Sequence, residues 1–250
     1  MNPTRREFSA QVLGSIVTYG LIESLWSRDL FAAEVKPTIA AWLADLVTMT
    51  EDLRGRKLTD IEFQTKMEEL YKRVDLQSLV SMVKLDEIEK TAKLPESGAL
   101  SRGIDLAKVQ GLPATVNFGK QIFACKKGRS IVPHGHNNMC TGFIVLKGQW
   151  VGKHYDKVET LKDHFVIKPT IDKEFGPGGL STVSDHRDNI HWFKATTETA
   201  YIFNVHVSAY DDRNKDAASR LYLDPDGEKL SGGLIKAPKM SSDACHKKYG

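Results

Sequence analysis

The 250-residue chain has no run of 18 or more uninterrupted apolar residues, so no ordinary transmembrane helix is expected. Cysteine is scarce. The odd count of three, Cys125, Cys140 and Cys245, argues against a disulfide framework and leaves room for one bridge with a third free thiol if the protein is exported. Long basic runs are also missing. The 35 Lys and Arg residues nearly balance 32 Asp and Glu, and the longest clusters are Lys126-Lys127 and His246-Lys247-Lys248. Such short clusters make no electrostatic footprint for nucleic acid. What is present, 41% hydrophobic and 27% charged residues, suffices for one globular domain with additional segments.

Four segments are expected. Thr4-Arg5-Arg6-Glu7-Phe8-Ser9, followed by a moderately apolar stretch from Ala10 to Trp26, resembles a twin-arginine export signal. Phe31-Ala32-Ala33 is an imperfect cleavage site, so residues 1–33 are read as the signal and the mature chain as starting near Glu34. Export implies a periplasmic or secreted protein; the alternative is a cytoplasmic one that begins with an amphipathic helix. Residues 34–97 read as helical and are expected to pack on the β-rich part of the chain or on a second subunit. Ile39, Trp42, Leu43 and Leu46 form one apolar stripe, and Phe63, Met67, Leu70, Tyr71 and Val74 form a second. Leu76, Leu79, Val80 and Val83 continue the pattern, and Thr59-Asp60-Ile61-Glu62 is a capping box that starts the middle helix.

Pro95-Glu96-Ser97-Gly98 ends the helical pattern, and residues 98–215 turn to short β-rich runs. These include Thr115 to Phe118, Gln121 to Cys125, Gly142 to Leu146, His164 to Lys168 and Thr199 to Val207, with a turn at Gly176-Pro177-Gly178-Gly179. Many short strands indicate a small barrel or sandwich. Beyond Asp211 the chain is polar and loop-like, and residues 216–250 are taken as a C-terminal extension.

The chemistry is concentrated in Gly128-Arg-Ser-Ile-Val-Pro-His134-Gly-His136-Asn-Asn-Met-Cys140-Thr141, which runs on to Gly148. On a strand, residues two apart share a face about 7 Å apart, so two imidazoles can converge on one metal ion. Five residues separate Gly128 from His134, and eleven separate His136 from Gly148. This spacing resembles the first cupin motif, Gly-x5-His-x-His-x(3,4)-Glu-x6-Gly, except that Cys140 or Thr141 stands where the glutamate belongs. Asn189-Ile190-His191-Trp192-Phe193-Lys194-Ala195 resembles the second cupin motif, which makes His191 the third ligand; His186, in a polar turn, competes for the role.

Within the cupins the chain is similar to the thiol dioxygenases, especially cysteamine dioxygenase and the plant cysteine oxidases. The likeness rests on His134-Gly-His136-Asn-Asn-Met139, on Lys153-His154-Tyr155-Asp156 and on the segment around His191, and spans residues 115–212. It implies a mainly β cupin (jelly-roll) barrel preceded by helices. It further implies a mononuclear iron(II) centre held by His134, His136 and His191, with O2 oxidising a small-molecule thiol to a sulfinic acid. Zinc, manganese and nickel are the alternative metals, and a homodimer is the family-level expectation. Cys140 falls beside the iron in that branch, and a cross-link to Tyr201 or Tyr210 is one role for it, a small buried residue the other. Asn204 replaces the aspartate of the plant enzymes, and only Tyr210 remains of their Pro-Pro-Tyr. His206 alternates in register with Asn204; facing the cavity it would shuttle protons, and the alternative is a hydrogen-bonded outward or core histidine. Trp192 and Phe193 are expected in the core, His154, His164 and His246 on the surface, Cys125 buried, and Cys245 at the terminus, free to pair or react. Two other functions stay open: a cupin that binds or senses a ligand without turnover, and a zinc or manganese cupin with non-redox chemistry.

Overall fold

Helices come first in the computed structural model, which describes residues 38–107, 109, 112–113, 115–214 and 219–250. The twin-arginine segment and the expected cleavage point lie outside the described residues. Helix α1 (Ile39–Arg54) starts where the Thr38 hydroxyl accepts from the Ala41 amide. Helix α2 (Asp60–Lys72) carries the expected capping box: Glu62 accepts from the Thr59 amide at 2.8 Å, and Thr59 accepts from the Glu62 amide at 3.2 Å. Two short helices follow, α3 (Leu76–Met82) and α4 (Leu85–Thr91). The two stripes on α1 and α2 meet: Trp42 and Tyr71 have ring centroids 5.2 Å apart, and the Trp42 indole donates to the Leu70 carbonyl at 2.9 Å.

The strands are β1 (Leu100–Gly103), β2 (Gly119–Lys126), β3 (Ser130–Asn137), β4 (Met139–Lys147), β5 (Trp150–Thr160) and β6 (His164–Phe175). They continue as β7 (Leu180–Val183), β8 (Ile190–Ala195), β9 (Thr199–Ser208), β10 (Ser219–Tyr222), β11 (Glu228–Lys229) and β12 (Ile235–Pro238). A terminal helix, α5 (Ser242–Tyr249), closes the chain. All pairings are antiparallel. One sheet has the order β1-β2-β9-β4-β7, the other β10-β3-β8-β5-β6-β12-β11. The pairs β2–β9, β3–β8, β4–β7 and β5–β6 are nested one inside the next, as in a long hairpin rolled over on itself. That nesting is the jelly-roll topology, and it matches the expected fold.

Side-chain alternation on the first sheet separates two cores. On β9, Phe203, Val205 and Val207 face outward into a cluster with Trp42, Leu46, Phe63 and Met67, whereas Ile202 faces the barrel interior with Phe143 and Phe193. The helices therefore cover the outer face of the five-stranded sheet. The contact is close: a β-carbon at Gly142 would lie 2.3 Å from the Met67 sulfur and 3.0 Å from the Tyr71 ring.

The structure departs from the sequence reading in three places. Thr115 to Phe118, expected as a strand, is irregular, and the Asn117 carbonyl accepts from the Arg54 guanidinium at 3.1 Å instead of from a neighbouring strand. The segment after Asp211 is not merely loop: β10 pairs with β3 and β12 with β6, each through only four residues, too short and too polar to show a period. Cys245 is not a loose terminal thiol. It is fully buried on α5 with its sulfur 3.4 Å from the Pro133 carbonyl, and all three cysteines are free and buried.

Because the helices and the sheet share one apolar cluster, Trp42→Ala should lower the stability of the whole fold by about 3–5 kcal/mol. Chemical denaturation followed by far-UV circular dichroism should still show one transition. A separate, early transition of the helices would contradict the shared core.

Candidate metal centre

His134 and His136 sit at alternate positions of β3, so both side chains point into the barrel. Strand β8 pairs with β3 so that His191 stands directly opposite His134. Ring centroids are 4.8 Å apart for His134 and His136, 4.4 Å for His134 and His191, and 5.2 Å for His136 and His191. One ligand nitrogen from each ring lies within 4.8 Å of the other two. All three residues are buried, at 1–3% exposure. His186 takes no part: its ring is mostly exposed and lies 2.9 Å from the Asp60 carboxylate.

The hydrogen bonds leave ligand nitrogens free. His134 Nδ1 lies 2.7 Å from the Val132 carbonyl and His191 Nδ1 lies 3.4 Å from the Asn189 carbonyl. A carbonyl can only accept, so each Nδ1 carries the proton and each Nε2 keeps its lone pair. His191 Nε2 and both ring nitrogens of His136 have no partner among the described residues. Buried polar atoms without partners cost roughly 1–3 kcal/mol each. A divalent metal accepting these lone pairs removes that cost, and the donor set fits one. Burial holds all three imidazoles well below the usual histidine range, with the neighbouring histidines and Arg220 adding to the effect. Neutral imidazole is the form that ligates metal.

Asn189 fixes this arrangement. Its amide donates to the carbonyls of His136 and Ser184, both at 3.0 Å, and its oxygen accepts from the His136 amide at 3.3 Å. The side chain fills the space above Gly135, where a β-carbon would come within 2.6 Å of the Asn189 oxygen. Glycine between the two histidines is a steric requirement.

Beside the triad is a cavity of about 60 Å³. At about 10–15 Å³ per probe-sized water, this is room for about four to six waters. Phe123, Ile131, Met139 and Phe143 give it apolar walls; Gln121, Thr141, Asn204 and His206 supply polar groups. The Asn204 oxygen accepts from Gln121 at 3.1 Å and lies 3.3 Å from His206 Nδ1, while its amide donates to the Gly142 carbonyl at 3.1 Å and to the Thr141 hydroxyl. His206 therefore carries its proton on Nδ1, which leaves Nε2 as its basic nitrogen. The ring lies over Gly119, where a β-carbon would approach it to 2.1 Å. Burial and Arg220 lower the His206 pKa.

Two expected catalytic residues do not reach the cavity. Cys140 alternates with Thr141 and Phe143 on β4 and points into the helical cluster, where burial pushes its thiol pKa well up. Tyr210 follows Ala209, whose φ of 50° turns the chain outward, and its hydroxyl donates to Asp185 at 3.2 Å. Tyr201 also faces outward. A third correction concerns His154, expected on the surface. It is fully buried beside His191, with ring centroids 6.0 Å apart, and its Nε2 lies 2.9 Å from the Ser181 hydroxyl. Burial and Lys173 bring its pKa down to about 3. The inward sequence Trp150-x-Gly152-x-His154 is the signal that could have shown it. His164 and His246 are partly buried, Phe193 is core, and Trp192 packs on Tyr249 outside the barrel. Arg220, which the sequence reading missed, lies on β10 opposite His136 and lines the cavity.

No protein-family profile matches the sequence, and no curated protein matches it. Solved structures show remote likeness. Procruciferin, the 11S globulin from Brassica napus, is 11% identical over 54% of this chain and 29% of its own, with a TM-score of 0.35. Oxalate oxidase in complex with the substrate analogue glycolate is 15% identical over 48% and 58%, with a TM-score of 0.35. The protein TT1209 from Thermus thermophilus is 11% identical over 48% and 93%, also with a TM-score of 0.35. The chain thus spans less than two thirds of the first two.

His136→Ala and His191→Ala should each lose most of the metal bound by the purified protein, measured by elemental analysis, while His186→Ala keeps it. Loss of metal from the His186 variant with retention in the His191 variant would overturn this ligand set.

Proposed function

We propose that the chain is a metal-dependent cupin enzyme, a non-haem iron dioxygenase that oxidises a thiol or another small molecule with O2. The observation that carries this reading is the set of three buried imidazole lone pairs converging with no carboxylate among them. His134, His136 and His191 would hold the metal. Iron(II) bound by three neutral ligands would supply redox chemistry with O2 while retaining its full positive charge, which favours an anionic thiolate.

The chain's own residues do the rest. Phe123, Ile131, Met139 and Phe143 give the cavity apolar walls that would favour a small substrate. His206, oriented by Asn204 with its proton on Nδ1, would accept the thiol proton on Nε2. Thr141 and Gln121 hold Asn204 in turn, so its amide orients His206 without itself exchanging a proton. For a thiol the overall change is balanced: RSH and O2 give RSO2H, both oxygen atoms ending on sulfur. The twin-arginine segment, on the same reading, exports the domain already folded around its metal.

Protein purified without added metal should contain about one iron per chain. Adding cysteine, cysteamine or a peptide with N-terminal cysteine should give O2 uptake, with the sulfinic acid seen by mass spectrometry. Stoichiometric zinc with no O2 uptake, or tightly held metal with no turnover of any thiol, would replace this reading with a non-redox enzyme or a binding protein.

A further inference from the structure

Gly119 opens β2 directly opposite His206 on β9, and Gln121, two residues on, stands opposite Asn204. Paired residues on adjacent strands share a face, so these four form one patch. Three of them, Gln121, Asn204 and His206, line the cavity. A β-carbon at Gly119 would lie 2.1 Å from His206 Nε2, 2.2 Å from Cε1 and 2.8 Å from Cδ2. No other described glycine comes as near to a side chain; Gly142, at 2.3 Å from the Met67 sulfur, is next.

Backbone freedom does not account for this glycine. Unlike Gly128 and Gly148, it has no positive φ, so an ordinary residue could adopt its conformation. Glycine in a strand often marks a close approach to the backbone. Here the approaching group is the His206 ring.

The surrounding hydrogen bonds run in one direction. The Gly142 carbonyl can only accept, so at 3.1 Å it fixes the Asn204 amide and turns the Asn204 oxygen towards Gln121 and His206. Gln121 donates to that oxygen at 3.1 Å, and its own oxygen accepts from the Ser101 hydroxyl at 2.7 Å. An acceptor therefore faces His206 Nδ1, at 3.3 Å. This is the longest of the four bonds, and a small shift of the ring breaks it first.

We propose that Gly119 is a positioning residue: the space left by its missing side chain seats the His206 ring within reach of Asn204 and so keeps Nε2 free of its proton. The seating is independent of the proposed function; only the use of Nε2 as a base rests on it. A side chain at position 119 would push the ring off β2. The proton would then pass from Nδ1 to Nε2, which could accept none from a substrate.

The test is histidine 15N NMR of the zinc-loaded protein at about pH 8, where His206, with its lowered pKa, is neutral. Its signals are those missing from His206→Gln, and two-bond correlations distinguish Nδ1–H from Nε2–H. The wild type should be mainly Nδ1–H. Gly119→Ala should still bind one zinc, and its tautomer ratio should move about 2- to 10-fold towards Nε2–H, the worth of one neutral hydrogen bond. Gly103→Ala, where the added carbon meets nothing within 4 Å, should leave the ratio unchanged. If Gly119→Ala does not fold, adding His206→Ala removes the ring and should restore folding and zinc binding. Nε2–H as the main wild-type form, an unchanged ratio in Gly119→Ala, an equal shift in Gly103→Ala, or a double variant that stays unfolded would overturn the seat. Failure of O2 uptake would count against the dioxygenase alone, because these spectra contain no thiol.

Discussion

The pairing of β3 with β8 is the constraint on which the candidate site depends. It sets His134 opposite His191 inside the barrel, and the period of two on β3 adds His136 to the same face. Neither strand could hold the ion alone. The cost of this placement is an interior with unpartnered imidazole nitrogens next to Phe143 and Phe193, an arrangement that a bare apolar core would not sustain. A ligand that accepts those lone pairs resolves the conflict. The rest of the wall serves the same geometry: Asn189 ties the backbone of His136 to the loop before β8, and Gly135 leaves room for it.

Electrostatics follow from the same burial. Removing three imidazoles from water keeps them neutral, so the centre contributes no negative charge to offset a metal. The polar side of the cavity is likewise built from neutral groups and one cation. Asn204, Gln121 and Thr141 form a fixed amide and hydroxyl network that orients His206, and the exposed Arg220 lines the same cavity. The outer face of the same sheet carries none of this chemistry. It is apolar and covered by helices, which is why Cys140, one residue from Thr141, belongs to a different environment.

How far the sequence could be read depended on how local each signal was. The capping box at Thr59 and the stripes on α1 and α2 involve residues within a few turns, and they appear as expected. His134-Gly-His136 was legible because a strand repeats every two residues. His154 alternates inward with Trp150 and Gly152 in the same way, but a bulge between His154 and Tyr155 buries the next residue as well and breaks the pattern just after it. Its neighbours Lys153 and Asp156 made the segment look like surface. Arg220 was hidden for another reason. Strand β10 is four residues long with no apolar period, and only its pairing with β3 gives the arginine a place at the cavity.

The central claim is that His134, His136 and His191 hold one ion together. X-ray absorption spectroscopy of the protein loaded with one equivalent of zinc tests it most directly. The geometry calls for a shell containing three imidazole nitrogens at about 2.0–2.1 Å. A sulfur in that shell, or fewer than three imidazoles, would contradict it.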